Sequence, residues 1–176
     1  EEFLYKVGMK QKPEYDPNAG KTFLHPGRQA NVVYDGTVIG YLGEVHPTVA
    51  SNYSIKDRVY VAVIDMPEIV SRASFDYKYE GIAKFPAATR DISMIVPKDV
   101  LAGDIEKVFE TKGGKLLESY QLFDIYEGAQ IKSGYKSIAY SLAFRAKDRN
   151  LEEADITGAM NKIVKALETM GAELRK

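Results

Sequence analysis

The hydrophobic and polar positions divide the chain into two parts with different patterns. The first part is rich in turns and short strand-like segments. Its patterns predict strands over residues 3–7 and 59–65, a hairpin over 30–45, and short helices over 47–53 and 66–70. The hairpin prediction rests on Asp35-Gly36, a pair that suits the positive φ angles of a two-residue turn. This part is therefore expected to form an antiparallel sheet.

After about residue 81 the chain alternates regularly between strand and helix patterns. Strands are predicted over residues 89–96, 115–126, 135–146 and 172–175. Two helices are predicted, and their apolar stripes are Ile105, Val108 and Phe109, then Ile156, Met160, Ile163, Leu167 and Met170. The first helix should stop at Gly113, and the second should begin near Asn150, where Asn150 and Glu153 fit a capping box. This order predicts a ferredoxin-like β-α-β-β-α-β sandwich with both helices on one sheet face.

The other face of this predicted sheet is left open. Alternation assigns to the helix-covered core Ile92, Met94, Val96, Phe123, Ile125, Ile138, Tyr140, Leu142 and Phe144. It assigns to the open face Asp91, Ser93, Ile95, Leu122, Asp124, Tyr126, Ser137, Ala139, Ser141 and Ala143. Small residues here surround one carboxylate and one phenol, a combination that suits a planar base such as guanine. The alternative is an ordinary solvated outer face.

Composition narrows the possible functions. Hydrophobic residues make up 45% and charged residues 28% of 176 residues, which is typical of a folded globular chain. There is no cysteine, and the two histidines have no metal-ligand spacing around them, so no metal site is expected. A net charge of −1 argues against indiscriminate binding to nucleic acid. No apolar run is long enough for a membrane span, and a cytoplasmic protein is expected.

Five segments resemble the beta subunit of bacterial phenylalanyl-tRNA synthetases. KFPAATRDISMIV, LLESYQLFDIYEG and GYKSIAYSLAFRAKDRNL, at residues 84–96, 116–128 and 134–151, resemble its carboxy-terminal anticodon-binding domain. LHPGRQANVV and IGYLGEVHP, at residues 24–33 and 39–47, resemble the end of its synthetase-like core. The resemblance implies an α+β fragment of a longer subunit. Residues 1–75 would end a catalytically inactive synthetase-like core, 76–82 would be a linker, and 83–176 would form the ferredoxin-fold anticodon-binding domain.

The resemblance also implies site residues. Asp124 and Tyr126 would contact the wobble guanine of the anticodon, and Ser93 and Ser137 would help to form its recess. Ser93 stands where the family often has alanine. Candidates for phosphate contacts, chosen on charge alone, are Arg90, Lys136, Arg145 and Arg149. The alternative for these four is an ordinary solvated or ion-paired surface cation.

The whole enzyme implied by the resemblance is phenylalanine–tRNA ligase, and this chain would carry no catalytic centre of its own. ATP and Mg²⁺ would bind to the alpha subunit, and the implied partners are tRNA(Phe) and that subunit, in a heterotetramer of two alpha and two beta subunits. Neither DNA nor a membrane is expected as a partner. The alternatives are a regulatory amino-acid-binding module, an acylphosphatase-type enzyme and a plain subunit-assembly module. His25 and His46 each precede a proline, which indicates structural roles.

Overall fold

A computed structural model describes residues 1–76, 79, 81–128 and 130–175. The chain forms two compact units, Glu1–Glu80 and Gly81–Lys176. The linker expected over residues 76–82 includes positions 77, 78 and 80, which lie outside the described residues.

The first unit is a four-stranded antiparallel sheet with three short helices. Its elements are α1 (Glu2–Lys6), β1 (Glu14–Asp16), β2 (Leu24–Tyr34), β3 (Thr37–Val45), α2 (Pro47–Asn52), β4 (Tyr60–Ile64) and α3 (Met66–Arg72). The strands lie in the order β1-β2-β3-β4. Leu4, Met9, Ile39 and Ile69 form a small buried core. The hairpin predicted around Asp35 is confirmed, and the two turn residues have φ angles of 47° and 70°.

The strand predicted over residues 3–7 is wrong, because this segment is the helix α1. Apolar residues at alternate positions imitated a strand, yet Phe3 and Tyr5 are exposed and Leu4 between them is buried. The Tyr5 amide donates to the Glu1 carbonyl at 3.0 Å. One helical turn thus satisfies the backbone locally while Leu4 reaches the core.

The two edges of this sheet differ. β1 is three residues long and lies between Pro13 and Pro17, which cannot donate to a further strand. Among the described residues, β4 pairs only with β3. It contains no charge and no proline, and it exposes Tyr60, Val63 and Ile64. β4 is therefore an apolar edge with nothing in its sequence to prevent pairing.

The second unit has the predicted ferredoxin-like order. Its elements are β5 (Ala88–Pro97), α4 (Ala102–Lys112), β6 (Leu117–Tyr126), β7 (Tyr135–Phe144), α5 (Glu153–Thr169) and β8 (Glu173–Leu174). A single turn of 3₁₀ helix, Gly114–Leu116, precedes β6. The strand order is β6-β7-β5-β8, and all pairs are antiparallel. Side chains of both helices meet one sheet face, as the predicted fold requires.

Aromatic rings occupy the centre of this core. The ring of Phe109 on α4 is fully buried, with its centroid 5.5 Å from that of Tyr120 and 4.9 Å from that of Tyr140. The Tyr120 hydroxyl donates to Glu110, and the Tyr140 hydroxyl donates to Glu106. Burial and these carboxylates raise the pKa of both phenols. The phenols therefore stay neutral donors that tie the sheet to α4.

The helix α5 begins later than predicted, and the capping box of Asn150 and Glu153 is wrong. The equivalent contact lies two residues further on, where Asp155 Oδ2 accepts from the Glu152 amide at 3.1 Å. Arg149 holds the Asp155 carboxylate with two hydrogen bonds of 2.5 and 3.0 Å. This ion pair fixes the side chain that caps the helix, so the start of α5 moves to Glu153.

Candidate nucleic-acid interface

The sheet register brings the four predicted base-contacting residues together on the face away from the helices. Two neighbouring rows of the ladder hold them: Tyr126, Ser137 and Ile95 in one, and Asp124, Ala139 and Ser93 in the next. Residues directly opposite in an antiparallel ladder share a face. Asp124 and Ser93 therefore flank Ala139, and Tyr126 stands beside Ser137.

A bulge in β6 decides which of its residues reach this face. The pairing passes from Leu122 opposite Tyr140 to Asp124 opposite Ala139, so Phe123 is an extra residue. An inserted residue exchanges the two faces of the strand beyond it. Residues before Phe123 thus follow one alternation and residues after it follow the other.

Two face assignments made for β6, those of Leu122 and Phe123, are wrong because of this bulge. Leu122 was expected on the open face, but it packs against the helix-covered core. Phe123 was expected in that core, but it is the extra residue and is 57% exposed. Ile125 lies on the core face opposite Ile138, as expected, but it is 51% exposed instead of buried. Asp124 and Tyr126 keep their expected face, since both lie beyond the bulge. The other core assignments, on β5 and β7, are confirmed by complete burial.

The floor of the candidate site is made of small side chains. Ser137 and Ala139 are buried although they lie on the open face of the sheet. Ser93, Ser141 and Ala143 around them are half-buried. No long side chain of β5 or β7 rises from these five positions, so a flat ligand can approach the sheet closely.

Asp124 and Tyr126 are unengaged within the described part of the chain. Neither side chain makes a hydrogen bond, an ion pair or a ring contact with a described residue. Asp124 is exposed, and Tyr126 is 42% exposed. The site therefore offers a carboxylate acceptor next to an aromatic stacking surface, which matches the N–H donors and the flat face of a nucleobase.

The four cations chosen as phosphate contacts are already engaged. Arg90 pairs with Glu153 at 2.5 Å, Arg145 with Glu118 at 2.9 Å and Arg149 with Asp155 at 2.5 Å. Lys136 donates to the Lys98 carbonyl at 3.2 Å. The hydrogen bonds from Arg149 lower the pKa of Asp155 to about 2, so this pair persists at all ordinary pH values.

Two of these cations lie on the other side of the sheet from the carboxylate. Arg90 is opposite Leu142 and Lys136 is opposite Val96, and both partners are core residues. Arg90 and Lys136 therefore share the helix side, whereas Asp124 faces away from it. The structure does not bring these two side chains together with the base-contacting group.

Sequence reasoning missed a cation that lies beside the end of β6. Lys98 pairs with Glu127, the residue after Tyr126, at a distance of 2.7 Å. Its backbone amide also donates to the Gly134 carbonyl at 3.0 Å. Lys98 and Glu127 are 29 residues apart in the sequence, so only the pairing of both β5 and β6 with β7 could have indicated their meeting.

Other classes of site are not found in the part of the chain that is described. No group of three or more histidine, aspartate or glutamate side chains there could hold a metal ion. No helix there is long and apolar enough to cross a membrane. His25 Nδ1 accepts from the Gly27 amide at 3.1 Å, and His46 Nδ1 accepts from the Thr48 amide at 3.2 Å. Both histidines thus organise the local backbone.

Comparison with known proteins agrees with this geometry. A family described as "Ferredoxin-fold anticodon binding domain" matches residues 83–175, and one described as "Phenylalanyl tRNA synthetase beta chain CLM domain" matches residues 1–66. The chain is 42% identical over 175 residues to the phenylalanine–tRNA ligase beta subunit of Clostridium acetobutylicum, covering 99% of this chain and 22% of that protein. It is 40% identical over 176 residues to the Bacillus subtilis beta subunit, covering 99% and 22%.

A third relative, the beta subunit of Streptococcus pyogenes serotype M1, is 42% identical over 170 residues, which cover 96% of this chain and 21% of that protein. The chain thus spans about a fifth of the length of these curated relatives. Both family matches and all three relatives point the same way. The chain belongs to the family of phenylalanine–tRNA ligase beta subunits and carries their ferredoxin-fold anticodon-binding domain.

Proposed function

We propose that this chain recognises the anticodon of tRNA(Phe) as part of phenylalanine–tRNA ligase. One observation carries the proposal: Asp124 and Tyr126 stand side by side, unengaged by any described residue, over a floor of small residues. They lie on the open face of the unit that matches an anticodon-binding domain. A solvated outer face has no need of a smooth floor of small residues beside an exposed, unengaged aromatic ring.

The proposed contacts follow from the chemistry of guanine. Its N1–H and N2–H groups both donate from one edge, and a single carboxylate can accept from both. Adenine presents an acceptor at N1, so it cannot make this paired contact with Asp124. Tyr126 supplies the stacking surface. Neighbouring strands are about 4.8 Å apart, so Ser93 lies roughly 10 Å from Asp124 across Ala139, which leaves the width of a base between them.

Phosphate contacts by Arg90, Lys136, Arg145 and Arg149 stay part of the proposal, with a small expected contribution. Each side chain already donates to a carboxylate or a carbonyl. Binding a phosphate replaces that acceptor with another one. The net gain in binding free energy is therefore only the difference between two exposed contacts. Recognition should therefore depend on the base more than on these cations.

We infer that catalysis belongs to the rest of the enzyme. ATP and Mg²⁺ would bind to the alpha subunit in a cytoplasmic assembly of two alpha and two beta subunits. Residues 1–75 would then serve as the inactive end of a synthetase-like core, consistent with the structural roles of His25 and His46. Residues 76–82 would connect this core to the anticodon-binding domain.

The test of base recognition is Asp124→Ala, measured as affinity for anticodon stem-loops with guanine or adenine at the wobble position. A charged acceptor with two donors is worth about 1.5–3 kcal/mol per hydrogen bond, so the parent should prefer guanine by at least tenfold. The variant should lose this preference, because no other carboxylate stands in that row. The salt dependence of binding should not change.

Asp91→Ala is the matched control for this experiment. Asp91 is an exposed carboxylate on the same face, so its removal changes the charge equally without touching the proposed contact. Asp91→Ala should keep the preference for guanine. If Asp124→Ala, correctly folded, still prefers guanine as the parent does, the proposed site is wrong.

A second function, in assembly, is favoured by the apolar edge of β4. We propose that this edge pairs in the whole synthetase with a strand from another part of the beta-subunit polypeptide. The curated relatives are several times longer than this chain, and an uncharged edge strand is rarely left open in a native protein. Backbone pairing would extend the four-stranded sheet by one strand.

Hydrogen exchange tests the assembly proposal. Amides of residues 60–64 that point away from β3 should exchange rapidly in the 176-residue chain and at least tenfold more slowly in a full-length beta subunit, because pairing protects them. Amides of β1 serve as the reference, since that edge should exchange equally in both proteins. Equal exchange of β4 in the two proteins would show that the edge stays open.

A further inference from the structure

Gly128 lies against the ring that the proposed function uses for stacking. A Cβ atom built on Gly128 would stand 2.1 Å from Oη, 2.4 Å from Cζ and 3.0 Å from Cε1 of Tyr126. The backbone conformation does not require glycine here, because Gly128 has no positive φ, unlike Gly114 and Gly134. Glycine is therefore favoured here by the space that the Tyr126 ring occupies, and not by the backbone angle.

The turn that contains Gly128 is anchored on both sides of this residue, which opposes a movement of Gly128 away from the ring. Its carbonyl accepts from the Ile131 amide at 2.9 Å, and the Ile131 side chain is buried. The preceding residue, Glu127, pairs with Lys98 on the loop after β5. A side chain added at Gly128 would therefore displace the exposed phenol of Tyr126, and the anchored turn would stay in place.

We infer that Gly128 is a positioning residue for base recognition, because its bare Cα sets the place at which the Tyr126 ring meets the wobble base. This inference rests on the proposed function. One edge of the ring is fixed by the close approach to Gly128, and the ring has no hydrogen bond to a described residue that could fix it otherwise. The register of β6 places the carboxylate of Asp124, and Gly128 completes the site by placing the stacking surface beside it.

Gly128→Ala tests this inference in the 176-residue chain, with an anticodon stem-loop carrying the wobble guanine as the probe. Stacking on an aromatic side chain is worth roughly 1–3 kcal/mol, and a displaced ring should lose part of it, which predicts binding weakened on the order of threefold to tenfold. Gly103→Ala is the matched control, because nothing lies within 4 Å of a Cβ there and its φ is not positive. That variant should bind like the parent.

A double-mutant cycle with Tyr126→Ala separates positioning from a general structural effect. If Gly128 acts through the ring, Gly128→Ala should weaken binding no further once the ring is absent. The inference is overturned if Gly128→Ala lowers the affinity of Tyr126→Ala by the same factor by which it lowers the affinity of the parent. Gly128→Ala binding like Gly103→Ala, while Tyr126→Ala binds weakly, also overturns it and leaves the proposed function intact. Tyr126→Ala binding like the parent overturns both.

If Gly128→Ala is too unstable for a binding assay, thermal unfolding keeps the test decisive. The proteins compared are the parent, Gly128→Ala, Tyr126→Ala and the double variant. Stability that is lost in Gly128→Ala and regained when Tyr126→Ala is added shows that the new methyl group meets the ring. Stability that is not regained shows that the methyl group meets something else, which overturns the inference.

Discussion

Replacing Phe109 by alanine is expected to destabilise the second unit by about 3–5 kcal/mol, the range typical of a buried phenylalanine. Phe109 is fully buried between Tyr120 and Tyr140, whose hydroxyls are tied to α4. The cavity would remove ring contacts with both, and neither ring can collapse into it without breaking its hydrogen bond. Denaturant unfolding should show a lower midpoint with an unchanged slope.

Phe123→Ala is the control, and its effect should be within about 0.5 kcal/mol of the parent stability. Phe123 occupies the bulge of β6 and is 57% exposed, so truncating it empties no core space. The two variants remove the same ring from the same unit. A loss at Phe123 as large as that at Phe109 would mean that the ring is buried and that the bulge is not present in solution.

The faces of β5 and β7 were predictable because both strands keep a strict alternation. Their ladder runs without interruption from Ala88 opposite Phe144 to Pro97 opposite Tyr135. Each core position is apolar and most positions between are small or polar, so a single face assignment fits both strands. The same reasoning also predicted the element order, since helix and strand periods differ clearly in this half of the chain.

β6 was predictable only beyond its bulge, because its sequence fits two alternations. Tyr120 and Leu122 are apolar, and so are Phe123 and Ile125, so either pair can be read as the core face. The choice depends on which pair reaches Phe109 on α4, a contact that the local pattern does not contain. Asp124 and Tyr126 were placed correctly because they lie after the extra residue.

The engagement of the cations could not be predicted from charge and local sequence. Arg90 and Glu153 are 63 residues apart, and Arg145 and Glu118 are 27 apart. These pairs form only because the fold brings strand ends next to a helix start and a neighbouring strand. Residue type therefore identified the cations, but only the tertiary structure shows which carboxylates already form ion pairs with them.

Tyr126→Ala should weaken binding of the tRNA(Phe) anticodon stem-loop by roughly tenfold to a hundredfold, since stacking of one base on an aromatic ring is worth about 1–3 kcal/mol. The loss should appear with guanine and adenine alike, because stacking tolerates either base, and the salt dependence should stay that of the parent. Tyr126→Phe keeps the ring and should bind nearly as well as the parent. Tyr53→Ala, an exposed tyrosine of the first unit, controls for the loss of any surface phenol. Tyr126→Ala that folds and binds like Tyr53→Ala would exclude stacking on this face.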